Sequence, residues 1–462
     1  MWRRIGDVGG ALSPADVAEN LQRVFAPLFG TALKQRVLQS PGTAMVVLDL
    51  PVPGWLPPFF QEDKQTWAFA GDYPTNARTV LAESGAGFSE DKVLLTLCRK
   101  LENDPRLLLR DLAPPYSLVW SSKIGDETFV QNDGLGMAQL FEFQDDRLWA
   151  LSNKIPAFKA LGVSLEPEPE QWAVWATLGW FPMEMSGYKK IRFLEPASQL
   201  RLTARGISRA RHDVLSDWVH PKKMPPADCL ELARASLLTM IKGCMPLWKK
   251  PSAGLSGGWD SRAVVCSLRK AGVDFSARVQ GLPDSQLKVQ HAGGLPPEDP
   301  DACRRSIVLA LLWQAGHLNG YRHKTFLANQ PCLVAWSVNV TGQHGEIGRR
   351  ERMLSDDHQP QKIGAKHFSD LQYEDYTITE LMRDMPPFTR GAVQDLVRDT
   401  IRKSCRQADR YDLTGLARVD FFCLYEFTRR KGSAVHAYQS RLLVAPFLNP
   451  DYIRAAFGYL DR

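Results

Sequence analysis

The stretch Ala253-Gly-Leu-Ser-Gly-Gly-Trp-Asp-Ser-Arg262 holds the residues best suited to chemistry. Ser256, Gly257 and Gly258 stand between a short apolar run and a helix-like run, with Asp260 and Ser261 just beyond. Glycines let backbone N–H groups approach an anion closely, and a following helix presents its positive end to the same place. The hydroxyls of Ser256 and Ser261 add donors. Phosphate or pyrophosphate is the natural guest. The loop is not a Walker A loop, which would need G-x-x-x-x-G-K-[ST], nor is it G-x-G-x-x-G. Asp260 beside a phosphate is repulsive without a cation, so Mg²⁺ is implied. Trp259 occupies a position where this chemistry asks nothing of the side chain. Its bulk is expected to pack beneath the loop or against the N-terminal half.

Such a loop needs a strand before it, a helix after it and a sheet to hold both. Residues 226–462 supply that pattern. The run 229–245, with Leu230, Ala233, Leu237, Thr239 and Ile241 near helical spacing, reads as a helix. The stretch 260–274 reads as a second helix closed by Gly272. A third opens with Asp299 as N-cap and Pro300 at its first position, and ends at Gly316. "FSARVQG" and "CLVAWSVNVTG" read as buried strands. Strands alternating with helices imply a parallel α/β sheet, whose ligands bind beyond the carboxyl ends of the strands.

Residues 1–205 differ. "TAMVVLDL", "QTWAFAGD", "YSLVWSS", "ETFVQND" and "RLWALSN" are short alternating or apolar runs punctuated by Gly, Asp and Asn. Two helical stretches, 14–29 and 90–101, interrupt them. The expected architecture is a layered α+β domain, then a polar, proline-bearing linker at 206–225, then the α/β domain.

The chain has 462 residues, 44% of them hydrophobic and 23% charged, with a net charge of +6. That length suits two or three domains. No Lys/Arg block is long enough for a nucleic-acid arm. No apolar run reaches the ~18 residues of a membrane span. The N-terminus lacks an apolar segment behind Arg3 and Arg4, so a secretory signal is not expected. The eight cysteines are scattered, none in C-x-x-C, and read as buried free thiols rather than a zinc site. A cytoplasmic protein is expected.

"LSGGWDSR" closely resembles the S-G-G-x-D-S loop of N-type ATP pyrophosphatases. The rest of the chain resembles the asparagine synthetase-like family, which includes glutamine-hydrolysing synthetases, β-lactam synthetases and lasso-peptide macrolactam cyclases. Asn132-Asp133-Gly134-Leu135-Gly136 is a weakened R-D-x-x-G motif. "LWALSNKIPAFKALG" is similar to F-A-S-E-I-K-A-L, and "YKKIRFLEPASQLRL" to I-x-x-L-x-P-G-x-x-L. "SRLLVAPFLNPDYIRAAF" resembles E-x-R-x-P-F-L-D.

The resemblance implies a degenerate Ntn-hydrolase-like amidotransferase domain at 1–205 and an ATP-binding synthetase domain at 226–462. "NVTGQHGEIGRR" is similar to the family's S-G-x-G-x-D-E loop. Thr341 and Gly342 keep its S/T-G, and Glu346 falls on the acidic position that shares magnesium with Asp260. Backbone at Leu255 and at Val279 to Gly281 would hold the adenosine.

Three departures matter. Position 2 is Trp2, where amidotransferases of the family carry a cysteine, and the glutamine-binding element is reduced to "AGDYPTN"; no glutaminase activity is expected. Gln343 replaces the tyrosine of β-lactam synthetases, while His344 beside it is a candidate general base. The lysine that relatives carry beyond P-F-L-D is missing, leaving Lys431, with Arg429 and Arg430, or Lys324, to stabilise pyrophosphate. The implied reaction is carboxylate adenylation followed by amide formation, of lasso-cyclase type on a peptide, with a partner peptidase and a precursor peptide. An ammonia-dependent ligase for a small or sugar acid and a nucleotide-binding pseudo-enzyme stand as alternatives.

Overall fold

The structure is a computed structural model that describes residues 1–4, 13–29, 33–40, 43–49, 54–85, 87–122, 126–219, 223–256, 258–279, 301, 338–348, 370–382, 391–430 and 443–459. It is a mixed α/β molecule with two antiparallel sheets and one parallel sheet. In chain order the N-terminal strands are β1 Trp2–Arg4, β2 Lys34–Ser40, β3 Thr43–Asp49, β4 Phe60–Glu62, β5 Thr66–Asp72, β6 Ser117–Ser122, β7 Glu127–Asn132, β8 Phe141–Gln144, β9 Leu148–Ser152, β10 Ile191–Phe193, β11 Ser198–Thr203 and β12 Gly206–Arg211. The first sheet runs β10-β8-β9-β1-β3-β2 and the second β12-β11-β7-β6-β5-β4. Every expected N-terminal strand is present.

Period-2 alternation decides which face each side chain serves. On β9, Trp149 and Leu151 join Val130 of β7 and Leu200 and Leu202 of β11 in one buried cluster. Both sheets contribute to that cluster, so they pack face to face. The intervening Ala150 points the other way and meets Val17, Leu21 and Phe25 of the helix Pro14–Phe29. On β6, Leu118 and Trp120 face away from the sandwich onto the helix Val93–Asn103. Helix, sheet, sheet and helix therefore stack in layers.

The parallel sheet begins at Ser252, after the helix Pro226–Cys244. Its strands are β13 Ser252–Leu255, β14 Ser276–Val279, β15 Asn339–Val340 and β16 Leu443–Val444, in the order β14-β13-β15-β16, with every pairing parallel. The helix Trp259–Lys270 follows β13 and ends as expected. Gly272 adopts φ +73°, its N–H donates to Arg269 O at 3.0 Å, and the Val273 N–H donates to Leu268 O at 3.1 Å. These two bonds are the pair that closes a helix through a left-handed residue. The helix expected between Asp299 and Gly316 lies outside the described residues, Asp301 excepted.

Some sequence expectations need correction. The stretch 206–225 was expected as a linker, yet it opens as β12, paired along β11, and continues into the helix Leu215–Val219. Val214, Leu215, Trp218 and Val219 are all buried in the cluster that unites the two halves. The helix Pro226–Cys244 forms, but Leu230 is exposed; Cys229, Leu237, Met240, Ile241 and Cys244 make its buried face. Cys266 is exposed on the outer side of its helix, whereas Cys98, Cys229, Cys244 and Cys405 are buried thiols. Among the described residues, no helix is long and apolar enough to cross a membrane.

Candidate functional site

Leu255 ends β13 and pairs with Val279 at the end of β14. The backbone groups expected to hold a nucleoside thus lie side by side at the carboxyl edge of the sheet. Gly281 and Gly257 lie outside the described residues.

The chain leaves β13 into a loop tied by its own hydroxyls. Ser256 Oγ and Ser261 Oγ are 3.0 Å apart. The Ser256 N–H donates to Ser261 Oγ at 3.1 Å, and the Gly258 N–H donates to Ser256 Oγ at 3.2 Å. The Ser261 hydroxyl lies 3.2 Å from Ser256 O and 3.1 Å from Gly258 O, so its single proton has two alternative carbonyl acceptors. Ser261 is buried, while Ser256 and Gly258 are exposed and Asp260 is half-buried. The inner serine fixes the loop, while Ser256 and the Gly258 backbone that donates to it lie on the exposed side. Gly258 is the N-cap of the helix Trp259–Lys270, whose positive dipole end faces the loop.

The second loop, Thr341–Gly348, leaves β15 and turns into a single 3₁₀ turn, Gly345–Gly348. It presses directly on the first. A Cβ on Gly342 would lie 2.6 Å from Ser261 N and 2.8 Å from the Asp260 carbonyl carbon. One on Gly345 would lie 2.4 Å from both Cγ and Oδ1 of Asp260. Only glycine permits either approach. His344 between them is buried and takes φ +74°, a left-handed backbone that costs a non-glycine residue about 1 kcal/mol. Glu346, next in the chain to Gly345, shares this turn. The two acidic positions expected to share a cation therefore belong to loops in van der Waals contact. Two carboxylate residues and phosphate oxygens form the hard donor set that Mg²⁺ prefers, so the residues present fit that ion. Among the described residues, no group of three or more His, Cys, Asp and Glu is gathered that could hold a metal ion.

Other residues here were not foreseen. The Tyr452 hydroxyl donates to Gly345 O at 3.3 Å, and the Thr341 N–H donates to Val444 O at 2.9 Å. The segment "PFLNPDY" thus braces the second loop from behind, with Phe447 and Tyr452 rings 4.9 Å apart. A tyrosine four residues beyond P-F-L in sequence carries no signal of that role.

Trp259 corrects its expectation. It is 68% exposed and lies outside both cores, with the Arg262 guanidinium 4.2 Å from its ring centre. It starts its helix on an exposed turn, between Gly258 and the exposed Arg262. Lys431 and Lys324 lie outside the described residues. Arg429 and Arg430 are buried against residues 181–193 of the N-terminal half rather than solvated on a helix surface.

In the N-terminal half, Trp2 lies buried in β1, opposite Ala150 and Ala44. Asp133 of the weakened motif is fully buried, and its carboxylate accepts the N–H groups of Leu135, Met137 and Ala138 at 2.8–3.0 Å. It organises its own turn. Asp72 lies at the end of β5 near Asp133, Lys154 and Ser117. Desolvation, then repulsion from Asp133, raises its carboxyl to about 6 against the pull of Lys154. Desolvation lowers the Lys154 ammonium to about 8.

No protein-family model matches the chain, and no curated protein matches it. Two solved structures show a distant likeness. One is described as the allosteric regulatory enzyme of purine biosynthesis, with 13% identity, a TM-score of 0.30, and 60% of this chain and 64% of that one covered. The other is glutamine phosphoribosylpyrophosphate amidotransferase from B. subtilis complexed with ADP and GMP, with 12% identity, a TM-score of 0.29, and 60% of this chain and 65% of that one covered. The chain thus spans less than two thirds of the length of either.

Proposed function

We propose that the chain is an ATP-dependent amide ligase that adenylates a carboxylate at the Ser256–Ser261 loop. The observation that carries this reading is the contact between the two loops. A strand–loop–helix corner with exposed donors is pressed, through Gly342 and Gly345, by the loop that bears His344 and Glu346.

In this reading the substrate carboxylate oxygen attacks the α-phosphorus of ATP. The bond from that phosphorus to the bridging oxygen breaks, and pyrophosphate leaves toward the Ser256 hydroxyl, the Gly258 N–H and the helix N-terminus. Donors fixed before the reaction stabilise the charge gathering on the leaving group. Asp260 and Glu346 would hold Mg²⁺, which supplies charge neutralisation to the triphosphate when bound. An amine then attacks the acyl carbon, the acyl–phosphate bond breaks, and AMP departs. His344 is the residue proposed to take the amine proton. In this reading the amine is drawn from the substrate, as in closure of a peptide side-chain carboxylate onto its own N-terminus by a lasso-cyclase type of enzyme.

The test is release of pyrophosphate and AMP from ATP with candidate peptides and small acids. Release should need Mg²⁺, and Asp260→Ala should lower it at least ~100-fold, the scale of losing one centre of preorganised electrostatic stabilisation. ADP and orthophosphate as products would sink adenylation. Stimulation by glutamine would overturn the assignment of the amine source.

A further inference from the structure

A second concentration of unbalanced charge lies at the seam between the halves. The helix Leu416–Phe422 runs into a π-helical turn, Cys423–Phe427, and ends at Thr428–Arg430. Such widened turns occur mostly where function requires them. This one gathers Glu426, Arg429 and Arg430, which are 0%, 1% and 6% exposed. Glu426 is satisfied: it accepts the Met183 N–H at 2.6 Å and Arg429 Nη2 at 3.0 Å. Arg430 Nε donates to Phe181 O at 2.7 Å, and its Nη2 donates to Met185 O.

The remaining donors are not satisfied. Arg429 Nε, Arg429 Nη1 and Arg430 Nη1 are buried without an acceptor among the described residues. Both guanidiniums lie against the Phe193 ring, with Arg430 4.2 Å and Arg429 5.7 Å from its centre. Arg429 pairs with Glu426, whereas Glu426 acts on Arg430, and Glu184 on both guanidiniums, only through space. Burial, then repulsion from Arg429, lowers Arg430 to about 9. Buried charged donors left unpaired cost several kcal/mol, and native proteins fill them with an ion, a ligand or water.

We propose that Arg429 and Arg430 form a binding site for a small oxyanion, a carboxylate or phosphate group, between the end of the helix that closes at Arg430 and residues 181–193. Three buried, unpartnered donors on two guanidinium forks that share the Phe193 ring match the oxygens of a compact anion. The site is independent of the Ser256 loop. Occupancy would also join the halves, because Gln139 Nε2 donates to Arg429 O at 3.3 Å and Phe181 and Met185 hold Arg430.

The experiment melts the full chain while inorganic phosphate or acetate is titrated at fixed ionic strength, with chloride as the reference. It is run in wild type and in Ser256→Ala, which weakens any phosphate binding at the loop. A saturable upward shift of a few degrees in both is expected, the size of occupancy near 100 times the dissociation constant. Arg429→Gln should abolish it, and Arg430→Lys should weaken apparent affinity about tenfold. The better of phosphate and acetate identifies the ligand group. No saturable shift in wild type, or an unchanged one in Arg429→Gln, overturns the site. Should Arg429→Gln fail to fold, an unchanged affinity in Arg430→Lys does the same. A response lost only in Ser256→Ala would assign the anion to the loop instead.

Discussion

At the scale of single residues, Asp260 is held by contact as well as by sequence. The loop motif names Ser256, Asp260 and Ser261, and the structure adds what a linear motif lacks: Gly342 and Gly345 abut that aspartate from 82 and 85 residues away. Glycine at 345 is required because any Cβ would collide with the Asp260 carboxylate at 2.4 Å. Gly345→Ala must therefore displace that carboxylate. In an adenylation assay it should cost ~10- to 100-fold in kcat with the melting temperature nearly kept, since a displacement of about 1 Å at a preorganised centre has that effect. Trp259 provides the contrast. Its ring is exposed and carries the Arg262 guanidinium, so Trp259→Ala should leave pyrophosphate release within about threefold. A large loss there would give Trp259 a role in binding substrate, and near-wild-type rates in Gly345→Ala would detach the second loop from the chemistry.

At the scale of elements, the strands of the first half were legible because alternation marks a half-buried sheet, and β5, β6, β7 and β9 fall where the pattern puts them. Helix existence was legible on the same ground. Which face each helix buries was less so: Leu230 and Cys266 look like core in sequence, yet Leu230 points away from its partner helix Pro450–Gly458 and Cys266 away from the sheet. Those outcomes depend on neighbours distant in the chain. Pairing of the strands into two sheets was illegible for the same reason.

The end of β5 shows what such pairing does. Register between β5 and β6 slips between Ala70 and Asp72, and a Cβ on the intervening Gly71 would lie 2.5 Å from Ser117 Oγ. The bulge turns Asp72 toward Asp133 and Lys154. Because folding raises the Asp72 pKa from 3.8 to about 6, its favourable contribution is complete below pH 4 and is lost as pH rises through 6. Asp72→Asn should stabilise the protein by about 1–2 kcal/mol at pH 7.5, discounted for the solvent at its half-buried position, and by little at pH 4.5. Urea denaturation at the two pH values reads the difference; an equal effect at both would remove Asp72 as a titrating group.

At the scale of the molecule, the expected boundary at 205/226 divides the sequence more sharply than the structure. A single buried cluster runs from Ala68 on β5 through Trp218 to Val340 on β15 and Phe457 near the end of the chain. The stretch 206–225 reads as a linker because it is polar and proline-bearing, but its few apolar residues are the ones that count. Trp218 is fully buried, and its indole N–H donates to Arg110 O at 2.7 Å. It lies against Gly134, where an added Cβ would meet its ring at 2.8 Å; the glycine of the weakened N-D-G motif is thus required by packing. On the far side, Arg454 of the helix Pro450–Gly458 donates to Asp111 at 2.9 Å and to Asp217 O at 3.3 Å. These contacts make the first half a structural partner of the parallel sheet. Trp218→Ala would open a large cavity among them and should cost about 3–5 kcal/mol, enough to lower the melting temperature of the whole chain. The shape of the transition carries the test. Shared burial predicts that calorimetry of the variant still shows one transition, moved down for both halves together. Two separated transitions, with only one displaced, would mean that the halves fold as independent domains.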